Sequence, residues 1–186
     1  MTELEKFFAT PAEVHAGATV CYTDGGCDLK DRGVGSWAYL AILPDGTIEE
    51  RCAGLWGTTN NRMEMRAALN ALRDMEIGEP LTIVSDSEYV IKGLSIWHPS
   101  WIKRGWLTAD GKPVRNRDLW DELIALAGLH ALTLKHVKGH SGDWGNERVD
   151  MLCTETIKQL RAERLAGKMF LIDQGAIPNV HSAYVA

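Results

Sequence analysis

The chain has 186 residues, of which 45% are apolar and 24% are charged, and its formal net charge is −5 at pH 7. This length is sufficient for one well-packed domain and short for two. No run of eighteen apolar residues occurs, and the N-terminal residues are acidic where a secretory signal would be basic, so we expect a cytoplasmic protein without a membrane span. The four scattered cysteines lack a Cys-x-x-Cys pair, which argues against zinc and favours reduced thiols.

The first half of the predicted domain begins with strands. Residues 18–24 read as an apolar strand that is followed by a Gly-Gly turn. Two further strands, 37–43 and 47–53, flank the turn signal Pro44-Asp-Gly46, so we expect these two strands to pair as a hairpin.

A helix is predicted over residues 60–77, because apolar residues recur there at helical spacing and Thr59 or Asn60 can serve as the N-cap. The short β-type run 81–85 follows it and leads directly into a helix that begins at Asp86. A strand that feeds directly into a helix places Asp86 at the carboxyl edge of a sheet, which is a usual position for a site in α/β proteins.

The remaining elements are mostly helical. Helices are predicted over residues 97–106 and 116–126, a strand over 132–137, and a last helix from about Asp143. The predicted organisation is an N-terminal arm (1–17), one folded domain (18–166) and a C-terminal appendage (167–186).

Basic and aromatic residues are concentrated in one segment, although the whole chain is acidic. Five basic residues lie there against a single acid, and four of the seven tryptophans lie in or beside the same stretch. A solvated helix with buried aromatic residues explains such a run as well as nucleic-acid contact does, so the segment alone leaves both interpretations open. The residues are Lys103, Arg104, Lys112, Arg115 and Arg117, with Trp97, Trp101, Trp106 and Trp120.

Four carboxylates stand in distinctive local settings, most of them at a strand end or a helix start. Taken singly, each is explained equally well as a solvated acid or a helix cap. Gathered within a few ångström, they would repel one another unless protonated or bridged by metal, and they would form a site for hard divalent cations. The settings are Asp24 in Tyr22-Thr-Asp-Gly-Gly-Cys27, Glu64 in Thr58-Thr-Asn-Asn-Arg-Met-Glu64, Asp86 in Val84-Ser-Asp-Ser87, and Asp150 in Asn146-Glu-Arg-Val-Asp150.

These settings belong to six motifs whose order and spacing resemble those of type 1 ribonuclease H, over about residues 18–160. The resemblance implies an α/β ribonuclease H-like fold: a five-stranded mixed sheet, its first three strands antiparallel, flanked by helices, with the acids meeting over its centre. The motifs are the Asp24 and Glu64 settings above, Asp86-Ser-Glu-Tyr-Val90, Lys103-Arg-Gly-Trp106, Asp118-Leu-Trp120 and Val137-Lys-Gly-His-Ser-Gly-Asp-Trp-Gly-Asn-Glu-Arg-Val-Asp150.

The resemblance implies an endonuclease that hydrolyses the RNA strand of RNA·DNA hybrids. Asp24, Glu64, Asp86 and Asp150 would hold two magnesium ions, with manganese as a substitute. One ion would activate the attacking water and the other would stabilise the leaving 3′ oxygen, which gives 5′-phosphate and 3′-hydroxyl ends. His140, in the glycine-rich loop before Asp150, would assist by moving a proton.

The resemblance also assigns residues to the substrate, which must be recognised through the 2′-hydroxyl of its RNA strand. No obligate protein partner is expected, and the resemblance favours a monomer. Cys27 and Asn60 would touch the RNA minor groove, Trp97 and Trp101 would line the DNA channel, Thr59 and Asn116 would hold a DNA phosphate, and Lys103, Arg104, Lys112 and Arg115 would contact further phosphates.

Two departures from the family pattern concern binding. Gly57 stands where a basic residue is frequent, and Glu88 stands where a glutamine-type residue is frequent. Both changes remove favourable interactions with a polyanion, so we expect weak hybrid affinity with a steep salt dependence.

Two other functions fit parts of the sequence. A related nuclease or transposase acting on DNA would share the acids, but the basic tryptophan segment is typical of hybrid-cutting enzymes. A non-catalytic hybrid-binding module would share that segment, but it would not need all four acids together with His140.

Overall fold

The computed structural model describes residues 17–166. Apart from Gly17, the predicted N-terminal arm and C-terminal appendage lie outside the described residues. The described residues contain five strands: β1 (Thr19–Asp28), β2 (Val34–Ile42), β3 (Ile48–Leu55), β4 (Pro80–Ser85) and β5 (Ala131–His136).

The helices lie between and after these strands. The segment that follows β4 is the most irregular, since a π-helical turn, Gly93–Trp97, separates two short α-helices there. The α-helices are α1 (Asn60–Asp74), α2 (Glu88–Lys92), α3 (His98–Lys103), α4 (Arg117–Ala127) and α5 (Trp144–Leu165).

The five strands form one mixed sheet in the order β3-β2-β1-β4-β5. β1 pairs antiparallel with β2, and β2 with β3, whereas β4 runs parallel to both β1 and β5. The predicted hairpin between the second and third strands is therefore confirmed, and so is the predicted mixed sheet with three antiparallel strands at its start.

The predicted turn at Gly25 and Gly26 is wrong, because β1 continues through both glycines and pairs them with Trp37 and Ser36. Gly25 serves close packing instead. A Cβ at Gly25 would lie 2.2 Å from the backbone nitrogen of Glu64. Only glycine allows this strand and α1 to approach so closely.

The two predicted helices that start at Asp86 and at Trp97 are replaced by α2, the π-helical turn and α3. Pro99 lies in the first turn of α3 and cannot donate a backbone hydrogen bond, which interrupts a continuous α-helix. Gly93 packs against Trp120 so closely that a Cβ would lie 2.0 Å from the indole ring.

Apolar clusters cover both faces of the sheet. On one face, α1 packs against β1 and β2 and α4 packs against α1, which buries Leu69, Leu72 and Trp120. On the other face, α5 packs across β1, β2 and β3 and buries Val149 and Cys153. The predicted core position of Trp120 and the predicted apolar face of the last helix are confirmed.

Two further expectations concern the cysteines and a membrane-spanning helix. Cys21 and Cys153 are buried free thiols, as predicted. No helix within residues 17–166 combines the length and the apolar character that crossing a membrane requires.

Candidate active site

Asp24 and Asp86 lie side by side on the two parallel central strands. The pairing of β1 with β4 ends at Thr23 and Ser85, and the two aspartates are the next residues of their chains. This is the carboxyl end of β4, the edge at which sites form in α/β sheets. The helix after β4 begins at Glu88 with Ser87 as its N-cap, so Asp86 is free of a capping role.

Glu64 enters the same place from the first turns of α1. The missing side chain of Gly25 lets the backbone around Glu64 approach β1, as described above. Both carboxylate oxygens of Glu64 accept hydrogen bonds from neutral groups: Ser87 Oγ donates at 2.5 Å and Asn60 Nδ2 at 2.7 Å. Glu64 is therefore held in one orientation without a cation.

Asp150 comes from α5 on the opposite face of the sheet. Its side chain is 45% exposed and lies 3.8 Å from Nδ1 of His140. One turn further along α5, the Cys153 thiol donates at 3.5 Å to the backbone oxygen of Asp24, which joins α5 to β1 directly beneath the acids. The fold thus brings together acids from two strand ends and two helices.

The closeness of these acids changes their ionisation. Burial first, and then repulsion by Asp86, Asp150 and Glu64, raise the pKa of Asp24 to about 7. Among the largest contributions, only the backbone N–H of Gly25 lowers it. The pKa of Glu64 is also raised, first by burial and then by Asp86, against the two hydrogen bonds that lower it.

The chemistry of this donor set fits divalent cations of the magnesium type. Carboxylate oxygens are the protein ligands that magnesium and manganese prefer, and crowded carboxylates lose their repulsion when a cation binds between them. Within residues 17–166, however, no three His, Cys, Asp or Glu side chains are already arranged at metal-binding distances.

Asp86 is supported by neighbours to which the sequence analysis gave no role. Asn146 is almost fully buried and donates from Nδ2 to Asp86 at 3.3 Å, while Nε2 of His136 lies 3.2 Å from the Asp86 backbone oxygen. Gly139 lies so close to the carboxylate that a Cβ there would be 2.6 Å from Oδ2. A glycine at this position therefore leaves room for the acid.

His140 lies in the loop between β5 and α5, on the solvent side of the acids. Its imidazole is 83% exposed, and its backbone has a φ of 53°. This conformation is uncommon for residues other than glycine.

Three predicted substrate residues lie around the start of α1: Cys27 and Asn60, predicted to touch the RNA minor groove, and Thr59, predicted to hold a DNA phosphate. Cys27 is the penultimate residue of β1, and its thiol donates to the Thr58 backbone oxygen at 3.4 Å. Thr59 precedes α1 without a side-chain capping bond, and Asn60 donates to Glu64. These side chains thus form a continuous strip that leads to the acids.

Asn116, which was predicted together with Thr59 to hold a DNA phosphate, has a left-handed backbone conformation with a φ of 57° immediately before α4. Arg62 donates to the side-chain oxygen of Asn116 at 3.4 Å, and the amide nitrogen of Asn116 donates to the Tyr89 hydroxyl at 3.4 Å. Trp120 donates to the same hydroxyl at 3.1 Å. Asn116 is therefore oriented by residues of α1, α2 and α4.

The two tryptophans predicted to line a DNA channel have different surroundings. Trp101 is only 7% exposed and packs against Trp97 and Trp120, with ring centres 5.9 and 5.2 Å apart. Trp97 is partly buried at the edge of the same cluster. In this conformation Trp101 supports the wall and Trp97 is the better placed of the two to contact a ligand.

The four predicted basic contacts are all exposed at or after the end of α3. Lys103 and Arg104 end that helix, and the loop up to α4 carries the other two, Lys112 and Arg115. Lys112 forms an ion pair with Asp110 at 2.7 Å. The basic surface is thus present, although part of its charge is already compensated.

Gly57 and Glu88 have local explanations in the structure. Gly57 has a φ of 70°, a left-handed conformation in which a basic side chain would be strained. Glu88 pairs with Lys92 one turn later at 2.7 Å. Glycine at position 57 therefore suits the backbone conformation there, and the negative charge of Glu88 is partly neutralised by Lys92.

Four residues that support the site were given no role from the sequence: Ser87, Asn146, Tyr89 and Arg62. Ser87 had a detectable signal, because serine after a strand and before a helical run is a favoured N-cap. Asn146 shared a helix side with Asp150, but side sharing alone does not identify a hydrogen-bond partner. The contacts of Tyr89 and Arg62 join distant parts of the chain and leave no local pattern.

A mixed five-stranded sheet with carboxylates gathered at its central strands defines the class of ribonuclease H-like α/β proteins. The family model for RNase H matches residues 16–158. A ribonuclease H of Pseudomonas paraeruginosa is 44% identical over 141 residues, which is 76% of this chain and 94% of that protein. The chain therefore belongs to the RNase H family, whose members are metal-dependent endoribonucleases.

Solved structures agree with this assignment. LC9-RNase H1, a type 1 RNase H with the type 2 active-site motif, superposes with a TM-score of 0.67 at 26% identity and covers 79% of this chain and 75% of its own. The foamy viral protease-reverse transcriptase, solved in complex with an RNA/DNA hybrid, has the same TM-score at 21% identity, over 77% of this chain and 20% of its own. Because the viral protein is only 21% identical, its likeness shows a shared fold alone.

Proposed function

We propose that this chain hydrolyses the RNA strand of RNA·DNA hybrids and that Asp24, Glu64, Asp86 and Asp150 hold two magnesium ions for this reaction. The observation that carries the proposal is the convergence of these acids, which come from two neighbouring strands and two helices. Burial and their mutual repulsion raise the pKa of Asp24 to about 7. Such crowding is costly without a cation and becomes favourable when cations bind. Manganese, which also accepts oxygen ligands, is expected to substitute.

When bound, the two ions would activate the attacking water and stabilise the leaving 3′ oxygen, which leaves 5′-phosphate and 3′-hydroxyl ends. The protein groups around them orient the ligands. Ser87 and Asn60 fix the oxygens of Glu64, and Asn146 fixes one oxygen of Asp86. Preoriented ligands reduce the reorganisation that the reaction requires.

His140 has the role of a proton carrier in this proposal. Its ring is exposed and lies 3.8 Å from Asp150, so it can pass protons between the site and bulk water.

Hybrid recognition is assigned to the two sides of the acids. The strip formed by Cys27, Thr59 and Asn60 lies beside Glu64. In it, Cys27 and Asn60 would meet the RNA strand, whose 2′-hydroxyls distinguish it from DNA, and Thr59 would hold a DNA phosphate. Asn116, Trp97 and the exposed basic residues after α3 lie around α4 and would meet the DNA strand. Family membership and the hybrid-bound viral fold neighbour support this substrate class.

The experiment is cleavage of an RNA·DNA hybrid that carries separate labels on its two strands, with matched RNA and DNA duplexes as controls. We expect magnesium-dependent cutting of the hybrid's RNA strand alone, with product ends that a DNA or RNA ligase accepts as 5′-phosphate and 3′-hydroxyl. Equal cutting of the DNA duplex would favour the DNA nuclease instead. Binding of the hybrid without any cutting would favour the non-catalytic module.

The cytoplasmic location, the monomeric state and the absence of an obligate protein partner stay predictions. Size-exclusion chromatography with light scattering tests the monomer directly. The weak hybrid affinity expected from Gly57 and Glu88 is tested by binding measurements at several salt concentrations, where phosphate contacts give a steep dependence.

A further inference from the structure

The turn between β1 and β2 is tied to the C-terminal part of α5 by two arginines. Arg161 donates from Nε to Asp31 at 2.8 Å and from Nη2 to Asp28 at 2.7 Å. Arg164, on the same helix, lies 3.9 Å from Asp31 and places its guanidinium 4.7 Å from the ring centre of Trp56. One helix end therefore holds both this turn and the residue after β3.

The same turn is hydrogen-bonded to the segment that leads into α1. The Gly57 N–H donates to the Arg32 oxygen at 3.2 Å, and the Thr58 N–H donates to the Gly33 oxygen at 3.0 Å. The Cys27 thiol donates to the Thr58 oxygen at 3.4 Å. The position of the turn thus sets the backbone of the strip that precedes and begins α1.

The charges of this turn matter for a polyanionic substrate. Asp28 directly follows Cys27 in β1, and Asp31 lies in the turn whose Arg32 and Gly33 oxygens accept hydrogen bonds from Gly57 and Thr58, so both acids belong to the backbone that borders the strip. The backbone N–H of Lys30, and after it Arg161, lower the pKa of Asp28, which keeps this acid ionised. Without a compensating cation, the two carboxylates would repel the phosphates of a bound strand.

We propose that Arg161 is a positioning residue for hybrid binding: it fixes the β1–β2 turn against α5 and neutralises Asp28 and Asp31 beside the RNA strand. The inference rests on the proposed function, since it concerns the substrate of the same site. Arg161 contacts none of the four acids that would hold metal. Its loss is therefore expected to affect KM for the hybrid and to leave kcat unchanged.

The first test is Arg161→Ala in the full chain, assayed on the labelled hybrid at low salt. Partly exposed ion pairs contribute little individually, so we expect KM to rise about fourfold with kcat unchanged. Arg161→Lys keeps the charge but loses the two simultaneous hydrogen bonds to Asp31 and Asp28, and we expect KM to rise about twofold. Thermal melting of each variant measures the accompanying loss of stability.

The second test separates charge neutralisation from simple loss of structure. The triple variant Arg161→Ala, Asp28→Asn, Asp31→Asn removes the two carboxylates together with their partner. If neutralisation is the main role, KM returns to within about twofold of the starting protein, although the ion pairs are still absent. A KM that stays as high as in Arg161→Ala would overturn this part of the proposal.

Arg148 provides a matched control on the same helix. It donates from Nε and Nη2 to Glu50 at 2.7 and 2.8 Å, so Arg148→Ala removes an equally well-formed pair from a different part of the sheet. We expect its KM to be unchanged. An equal rise in both variants would refute a specific role for Arg161.

The outcomes also separate this inference from the proposed function. If the unmodified chain cleaves the hybrid and Arg161→Ala has an unchanged KM, the inference is wrong and the proposed function stands. If the unmodified chain cleaves no hybrid, the proposed function fails first. If Arg161→Ala does not fold, Arg161→Gln, which keeps most of the side-chain length without the charge, takes its place, and an unchanged KM in that variant overturns the inference.

Discussion

Carboxylates gather at two opposite ends of the central strands, and the two groups are built differently. The first group is the acid centre of Asp24, Glu64, Asp86 and Asp150. The second group lines a cavity of about 430 Å³ near the beginnings of β1 and β4. Its acidic residues are Asp45, Glu49, Asp74, Glu76 and Glu79.

The difference lies in what each acid has as a partner. Asp74 accepts hydrogen bonds from the Tyr39 hydroxyl at 2.7 Å and from Arg51 at 2.9 Å, so its charge is balanced within the protein. Asp24 is buried beside other acids, and its pKa is raised. Acidity alone therefore does not identify a cation site, whereas burial among unbalanced acids does.

The largest expected effect that tests this comparison is on catalysis. Asp24→Asn removes one charged ligand while keeping the side-chain size, so hybrid cleavage should fall by about a thousandfold or more. Asp74→Asn removes an acid of the second group and should leave the rate unchanged. Initial rates on the labelled hybrid measure both. Comparable losses in the two variants would contradict the distinction between the groups.

The second prediction concerns stability without metal. Because the pKa of Asp24 is about 7 in the folded protein and 3.8 ordinarily, the folded state holds a proton more tightly than the unfolded state. Stability therefore falls as the pH rises from about 4 to about 7. Asp24→Asn removes this loss and should raise the free energy of unfolding by roughly 4 kcal/mol at pH 8.

Urea denaturation in the presence of a chelator, at pH 8 and at pH 4, measures this effect. The stabilisation by Asp24→Asn should be largely absent at pH 4, where the unmodified Asp24 is protonated in the folded state. Asp74→Asn should have the opposite sign at pH 8 and lower stability by about 1 kcal/mol, since it loses a partly exposed ion pair. A destabilising Asp24→Asn at pH 8 would contradict the crowding of the acids.

A third prediction compares two hydroxyl groups that donate to acids. Ser87 lowers the pKa of Glu64, so Ser87→Ala should raise that pKa, move the acid limb of the rate profile to higher pH and reduce the rate at pH 7 about tenfold. Ser87→Thr keeps the hydroxyl and should restore most of the activity. Tyr39→Phe removes the donor to Asp74 and should leave the pH–rate profile unchanged.

The smallest expected effect is stabilisation by magnesium. At about ten times its dissociation constant, a ligand that binds only the folded state adds about 1.4 kcal/mol to the free energy of unfolding. The unmodified chain and Asp74→Asn should both gain this stability in thermal melts, whereas Asp24→Asn should gain little. An equal gain in all three proteins would place the ion outside the acid centre.

The sequence predicted the architecture well where the signals were local. The apolar spacing predicted α1, and the turn signal before β3 predicted the hairpin of β2 and β3. The predicted boundaries of these elements are correct to within a few residues. The glycine pair after Asp24 was misread as a turn. Glycine serves turns and close packing equally, and only the approach of α1 to Gly25 distinguishes the two uses.

The site was predictable in part for the same reason. The four acids were found because they lie in distinctive motifs, and the structure brings them to one place. The residues that orient them, such as Ser87 and Asn146, act across separations of 23 and 60 residues. The burial of Trp101 was likewise set by Trp97 and Trp120, which reach it from neighbouring helices.

The order of the acids along the chain has a consequence for synthesis on the ribosome. Asp24, Glu64 and Asp86 emerge early, but Asp150 is carried by α5, which also covers one whole face of β1, β2 and β3. A nascent chain that lacks α5 has neither the fourth acid nor the packing that closes the sheet. The proposed nuclease activity should therefore be withheld until α5 has been synthesised and has packed onto the sheet.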